Sequence, residues 1–227
     1  MLSPANNLMI FQLEIGKYEK LRDSFQLVGL DSGQLIFRPY EAIQFVYFPV
    51  TAIIAMEIDI SDGTSAEIVL IGKEGMVGSG VMGGNQNFSR ARVKFSGLAY
   101  KLPLAVFQSE LSPDPSFLKI WMAVTRQMIL QIAMPTVCSS RHTNEQQLIR
   151  WLMNTLDKTQ GSVLQITHQE MASILGIRRE SVTLTAGKLS QEGLIETSRG
   201  QIKVLDRTQL EARACECYGV MKPSLKH

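Results

Sequence analysis

The stretch from Thr167 to Ile195, THQEMASILGIRRESVTLTAGKLSQEGLI, allows few folds. Thr167 is followed three residues later by Glu170, so hydroxyl and carboxylate can each satisfy an orphan amide, and a helix is expected to begin there. Ala172 lies four residues before Gly176 and Val182 six residues after it, a spacing with which two short helices cross at close quarters. Gly176 can take positive φ where the first helix must stop, and Ile177 tucks under the turn. Val182, Ala186 and Leu189 then form the inward stripe of the second helix. Its outer face opens with Arg178, Arg179, Glu180 and Ser181, followed by Thr183 and Leu184.

Such a helix suits DNA reading, because the N-terminal residues of a recognition helix enter the major groove and meet base edges. An arginine there can fork onto guanine, and a glutamate can accept from a cytosine amino group. The competing reading is a helical hairpin whose charges only face water. The next dozen residues narrow the choice: after Gly193 and Leu194-Ile195, the turn Ser198-Arg199-Gly200-Gln201 separates Glu196 to Thr197 from Ile202 to Leu205, as in a hairpin wing. The expectation is a winged helix-turn-helix.

The 227 residues suffice for one large or two ordinary domains, and 45% hydrophobic with 19% charged residues describes a globular chain. No apolar run approaches a membrane span, and Met1 to Phe11 lacks the basic start and long apolar core of a signal peptide, so a cytoplasmic location is expected. The formal charge of +2 divides unevenly: residues 1–140 carry 11 Lys+Arg against 12 Asp+Glu, residues 141–227 carry 12 against 9. That mild distal basic bias suits phosphate contacts. Cys138, Cys215 and Cys217 fit a reducing compartment and not a disulfide framework. The Cys-x-Cys pair has no histidine near it in sequence, so no metal site is expected and the cysteines are assigned to a terminal helix without chemistry. With no cysteine or histidine before Cys138, iron-sulfur and haem ligation are not expected in the first 137 residues.

Helical spacing runs loosely from Leu8 to Arg22. Short apolar runs then come at Leu27–Leu30, Gln34–Phe37, Phe45–Phe48, Ile53–Met56, Ala66–Leu70, Arg92–Phe95 and Ala99–Leu102, with turn residues such as Asp31-Ser32-Gly33 and Ser61-Asp62-Gly63-Thr64 between them. Antiparallel hairpins closing into a sandwich or jelly roll are expected. The glycine-rich segment Gly72–Gly84 either approaches a ligand phosphate or serves ordinary tight turns. A long helix is expected from about Ser116 toward Arg141, with Leu118, Trp121, Met122, Thr125, Met128, Ile129 and Ile132 on one apolar face. At about 37 Å for about 25 residues, it exceeds what the β-domain would cover, so part of that face is expected to meet a second chain. Pro135 should kink it and mark a hinge. Thr143-Asn144-Glu145 restarts a helix through Leu148, Trp151, Leu152 and Leu156 that braces the winged module.

The whole order resembles the CRP/FNR family of bacterial transcription regulators, most sharply in LGIRRESVTLTAGKLSQEGLI at 175–195, RGQIKVLDRTQLE at 199–211 and ACECY at 214–218. The resemblance implies an α+β chain in three parts: a cyclic-nucleotide-binding-like β-roll (jelly roll) at 1–112, a long dimerisation helix and hinge at 113–142, and a winged helix-turn-helix at 143–227. It implies a homodimer on a near-palindromic operator in double-stranded DNA, with RNA polymerase as a further partner and no membrane partner. Arg179 and Glu180 take the family's two principal base-reading positions, while Thr167, His168, Arg178, Ser181, Thr183, Lys188 and Arg199 are expected to meet or support the DNA backbone. A third base-reading arginine of some members falls at Leu184. The effector pocket, aligned on Gly78 and Val93, places Ser79, Ser89 and Arg90 where cyclic-nucleotide binders carry a ribose-binding glutamate, an arginine and a small hydroxyl residue. The ribose carboxylate is absent, so no cofactor is expected and cyclic nucleotide is not the expected ligand; a barrel kept for architecture, or one taking another small effector, is. No Ser/His/Asp set, metal cluster or carboxylate pair suggests an enzyme. The alternative function is a ligand-sensing or protein-interaction module of the same fold without specific DNA binding.

Overall fold

The computed structural model describes residues 2–61, 63–78, 88–159 and 161–222, which form two compact units, one up to Met128 and the other Ile129–Lys222. In the first unit, α1 (Leu8–Phe11) and α2 (Ile15–Leu21) precede seven strands: β1 (Gln26–Leu30), β2 (Leu35–Phe37), β3 (Phe45–Pro49), β4 (Ile53–Asp59), β5 (Ser65–Ile71), β6 (Arg90–Phe95) and β7 (Gly97–Pro103). They pair antiparallel in two sheets, ordered β1-β7-β3 and β2-β6-β4-β5. Every strand expected from the short apolar runs is present. The loose helical pattern from Leu8 to Arg22 resolves into two separate short helices.

Side-chain alternation explains why the β1-β7-β3 sheet lies in the middle of a layered unit. Along β3, Val46 and Phe48 enter one core and Tyr47 the other; along β7, Tyr100 and Leu102 oppose Ala99 in the same way. The first core adds Met9, Ile10 and Leu21 from the short helices, with Phe25 set edge-on to Phe48 at 5.7 Å. The second fills the space between the two sheets with Ile54, Met56, Val69, Ile71, Ala91 and Val93. Asn7 is the polar pin of this unit. Its Nδ2 donates to the carbonyls of Pro49 and Gly75, both at 2.9 Å, while its Oδ1 accepts from the amides of Met9 and Ile10 to cap α1.

After β7, the turn α3 (Leu104–Val106) runs into a π-helical stretch, Phe107–Leu111, and then α4 (Pro115–Arg141). Asp114 opens α4: its Oδ1 accepts from the amides of Ser116 and Phe117, and those bonds with the Ser116 hydroxyl hold its carboxyl down to about 2. The helix continues past Pro135 to Arg141. The single apolar face expected for it divides in two, because seven residues at such steps span too wide an arc to share one neighbour. Trp121 and Met128 turn with Phe117, Ile120 and Val124 onto the core, whereas Met122, Ile129 and Ile132 are exposed.

The second unit holds α5 (Asn144–Leu156), β8 (Val163–Gln165), α6 (His168–Leu175), α7 (Arg179–Gln191), β9 (Ile195–Ser198), β10 (Gln201–Val204), α8 (Arg207–Arg213) and α9 (Glu216–Met221). Thr143 and Gln146 form the capping box that restarts the chain as α5, whose Leu148, Ile149, Leu152 and Met153 are fully buried. The wing is a sheet of three strands, ordered β8-β10-β9, one more than the expected hairpin. No helix among the described residues is long and apolar enough to cross a membrane.

Asn7→Ala removes a helix cap and leaves buried carbonyls without their donor. It should destabilise the β-roll by about 3 kcal/mol, read as an earlier midpoint in urea unfolding with an unchanged slope.

Candidate nucleic-acid interface

The helix-turn-helix is built as its sequence demands. The Thr167 hydroxyl accepts from the Glu170 amide at 3.2 Å, and the Glu170 carboxylate accepts from the Thr167 amide at 2.8 Å, so the capping box fixes the start of α6. Gly176 closes the helix with φ 66°, in the left-handed region that only glycine enters cheaply, and the Ile177 amide returns to the Ala172 carbonyl. Three residues later α7 begins, with Val182, Ala186 and Leu189 buried against α6 and α5. Its far end is tied down by charge: Lys188 Nζ sits 2.6 Å from Glu145 Oε2, and Arg213 pairs with both Glu145 and Glu192.

What remains free is the near end. Arg178, Arg179 and Glu180 are exposed, Ser181 is half-buried, and Leu184 is 75% exposed. Among the described residues the side chains of Arg178, Arg179 and Glu180 make no hydrogen bond or ion pair. Unpaired backbone amides and the positive end of the helix dipole lie at the same place, which favours an anion there. Arg199 projects from the tip of the wing, exposed beside Gly200 at φ 72°.

Four of the residues expected to meet or support the DNA backbone have partners within the protein. Thr167 is held in its capping box and Lys188 in its ion pair. The Thr183 hydroxyl donates to the Arg179 carbonyl at 3.0 Å, which leaves its oxygen to accept from Nδ1 of His168, also at 3.0 Å. These contacts lock the start of α7 to the start of α6. Burial, and then the nearby Arg179 charge, push the His168 imidazole below its ordinary pKa.

The expected effector residues are less available. Gly78 has φ 103°, Ser89 is half-buried, and Ser79 lies outside the described residues. Arg90 Nε is 2.7 Å from Glu57 Oε2 and its Nη1 is 3.1 Å from Asp59 Oδ1, so the guanidinium already spends its donors on strand β4. A pocket in the β-roll of about 200 Å³, lined by Ile36, Phe37, Glu41, Ala42, Ile43, Gln44, Phe45 and Tyr47, has an acid and no base in its wall.

One expectation is corrected by the fold. The Cys-x-Cys pair has no histidine near it in sequence, but the chain returns it to α4: Sγ of Cys217 is 3.6 Å from Nδ1 of His142, and Sγ of Cys215 is 3.7 Å from Sγ of Cys138. Burial raises the Cys138 thiol and pushes Cys217 up to about 12, so neither is a reactive thiolate as arranged.

Residues 146–213 match the family described as the Crp-like helix-turn-helix domain. The transcriptional regulator SdrP of Thermus thermophilus is 42% identical over 52 residues, 23% of this chain and 26% of that protein, so the match spans about a quarter of that curated relative's length. A CRP/FNR-family transcriptional regulator from Thermus thermophilus superimposes with a TM-score of 0.66 at 22% identity, covering 83% of this chain and 98% of that one. The chain has the fold of this regulator, and its residues 146–213 carry the Crp-like helix-turn-helix domain. The c-di-GMP-responsive global regulator CLP of Xanthomonas campestris has the same fold, with a TM-score of 0.64 at 18% identity over 85% of this chain and all of that one. The shared fold has the β-roll, the long α4 and the winged module in that chain order, as the sequence resemblance implied.

His168 generates a pH dependence. Because its folded pKa lies below its unfolded value, the unfolded chain binds more protons between the two, and stability rises with pH across that interval. The contribution is complete above about pH 6.5 and is lost as pH falls through the folded pKa. Urea midpoints measured on either side of that interval should fall toward acid, and His168→Gln should flatten the slope.

Proposed function

We propose that the chain is a homodimeric transcription regulator that inserts the N-terminal end of α7 into successive major grooves of a near-palindromic operator. The observation that carries this is the near end of α7: three charged side chains without internal partners, on a helix whose inward face and far end are fixed. Arg179 and Glu180 read base edges, Leu184 offers an apolar surface suited to a thymine methyl, and Arg178, Ser181 and Arg199 hold the backbone. Thr167, His168, Thr183 and Lys188 first shape the module, and contact with DNA is their secondary role. Such work places the protein in the cytoplasm, with RNA polymerase as a partner whose contacts are unassigned.

The dimer rests on the second face of α4. Leu118, Met122, Thr125, Ile129, Ile132 and Thr136 follow steps of four and three, the repeat of a coiled-coil seam. Met122, Ile129 and Ile132 are 69%, 59% and 45% exposed, more apolar surface than a helix keeps in water without a partner. A second copy of α4 supplies the same surface and the two-fold symmetry that paired half-sites require. The β-roll is read as architecture, or as the seat of an effector other than a cyclic nucleotide: Arg90 is bound to Glu57 and Asp59, and no carboxylate stands at the ribose position.

Arg179→Ala should cost about 1–3 kcal/mol at the cognate site and relax base preference there, leaving binding to random duplex nearly unchanged. Fluorescence anisotropy on both duplexes checks it. An equal loss on both removes Arg179 from the reading role, and no sequence preference in the unaltered protein favours the protein-interaction alternative. Ile129→Glu should leave the monomer folded and shift sedimentation to the single-chain mass, with operator affinity falling at least tenfold.

A further inference from the structure

Three thiols and an imidazole that are far apart in sequence converge inside the second unit. Cys138 and His142 sit four residues apart near the end of α4, hence on one side of it. Cys215 is the N-cap of α9 and Cys217 lies in its first turn. Their four donor atoms all fall within 4.8 Å of one another, and the three cysteines are buried at 0%, 6% and 2% exposure. With metal–sulfur bonds of about 2.3 Å and metal–nitrogen bonds of about 2.0–2.1 Å, the edges of a tetrahedron are about 3.8 Å between sulfurs and about 3.6 Å from sulfur to nitrogen. The observed 3.7 Å from Cys138 to Cys215 and 3.6 Å from Cys217 to His142 are those edges. A disulfide would need sulfurs about 2.05 Å apart, and a multi-iron cluster would hold its ligands farther apart than these.

Two neighbours point to an ion at the centre. Nε2 of His142 lies 3.3 Å from Glu216 Oε2, so a proton on Nε2 is held by the carboxylate and the Nδ1 lone pair faces the sulfurs. That is the carboxylate–histidine–metal arrangement that orients an imidazole ligand. Arg150 is 4% exposed, lies beside Cys138, and its Nε is buried without a hydrogen-bond partner. Three thiolates and a neutral imidazole around a divalent ion carry one net negative charge, and a buried guanidinium next to them offsets it.

We propose that Cys138, His142, Cys215 and Cys217 bind one tetrahedral divalent ion of the zinc class. Binding replaces three thiol protons, which leave to solvent, with three sulfur–metal bonds and one nitrogen–metal bond. Four protein ligands leave no open coordination position, so the site is structural. It staples α9 to the end of α4, and its binding free energy adds to the stability of the second unit. This does not rest on the DNA-binding reading.

The test uses the full chain, purified under reducing conditions with zinc and then dialysed against a weak chelator. Elemental analysis should find about one zinc per chain, and Cys217→Ser should hold less than a fifth of that. Because a serine variant could misfold, the unaltered protein is also loaded with cobalt(II), which should show tetrahedral ligand-field bands and thiolate-to-cobalt charge transfer. A strong chelator should lower the midpoint of thermal unfolding. A folded, reduced chain that retains no zinc, an octahedral cobalt spectrum, or a Cys138–Cys215 disulfide in protein isolated under thiol-blocking conditions would each overturn the proposal.

Discussion

The crossing of α6 and α7 is the contact on which the reading end of the molecule depends. Its strength comes chiefly from burying Val182, Ala186 and Leu189 against their neighbours, at about 25 cal/mol for each Å² of apolar surface withdrawn from water. The capping box at Thr167 adds about 1 kcal/mol, and exposed pairs such as Lys188 with Glu145 add less. Their larger effect is directional. Gly176 sets the turn, the His168–Thr183–Arg179 chain of hydrogen bonds sets the start of α7, and Glu145 sets its end. A helix held at both ends keeps Arg179 and Glu180 in place in the free protein, which would reduce the ordering cost of the DNA binding proposed above.

The β-roll obeys a different constraint. Its middle sheet is covered on both sides, so β3 and β7 present apolar side chains in both directions, and the charge falls on β4 and β6 of the other sheet. Arg90 and Arg92 of β6 face Glu57 of β4 across the pleat, and the cross-strand pairs balance the charge of both strands within the sheet. The pocket near Ile43 and Tyr47 has a largely polar lining with one acid, Glu41, and no base, so its chemistry points away from phosphates.

Local patterns carry most of this architecture in readable form. The strands are legible from short apolar runs between turn residues, and the helix-turn-helix from Thr167, Gly176 and an inward stripe, because each of these depends on neighbours within a few residues. The features beyond reading are long-range. Asn7 caps a helix and also binds carbonyls of Pro49 and Gly75, and no spacing announces that. The role of Thr183 depends on His168, fifteen residues away on another helix. The two faces of α4 share one periodicity, and only the position of the β-core separates Trp121 from Met122. The cysteines escape a local reading for the same reason: Cys217 finds His142 only after the chain has crossed the wing and turned back, 75 residues on.

Paired, symmetric reading by α7 is the central claim. The direct measurement is selection of bound duplexes from a random DNA pool by the full-length protein, with the bound sequences then determined. It should return an inverted repeat whose half-site centres lie one helical turn apart, about 34 Å, with a strongly preferred guanine or cytosine step in each half. Recovery of an unenriched pool, or of a single asymmetric site, would contradict it.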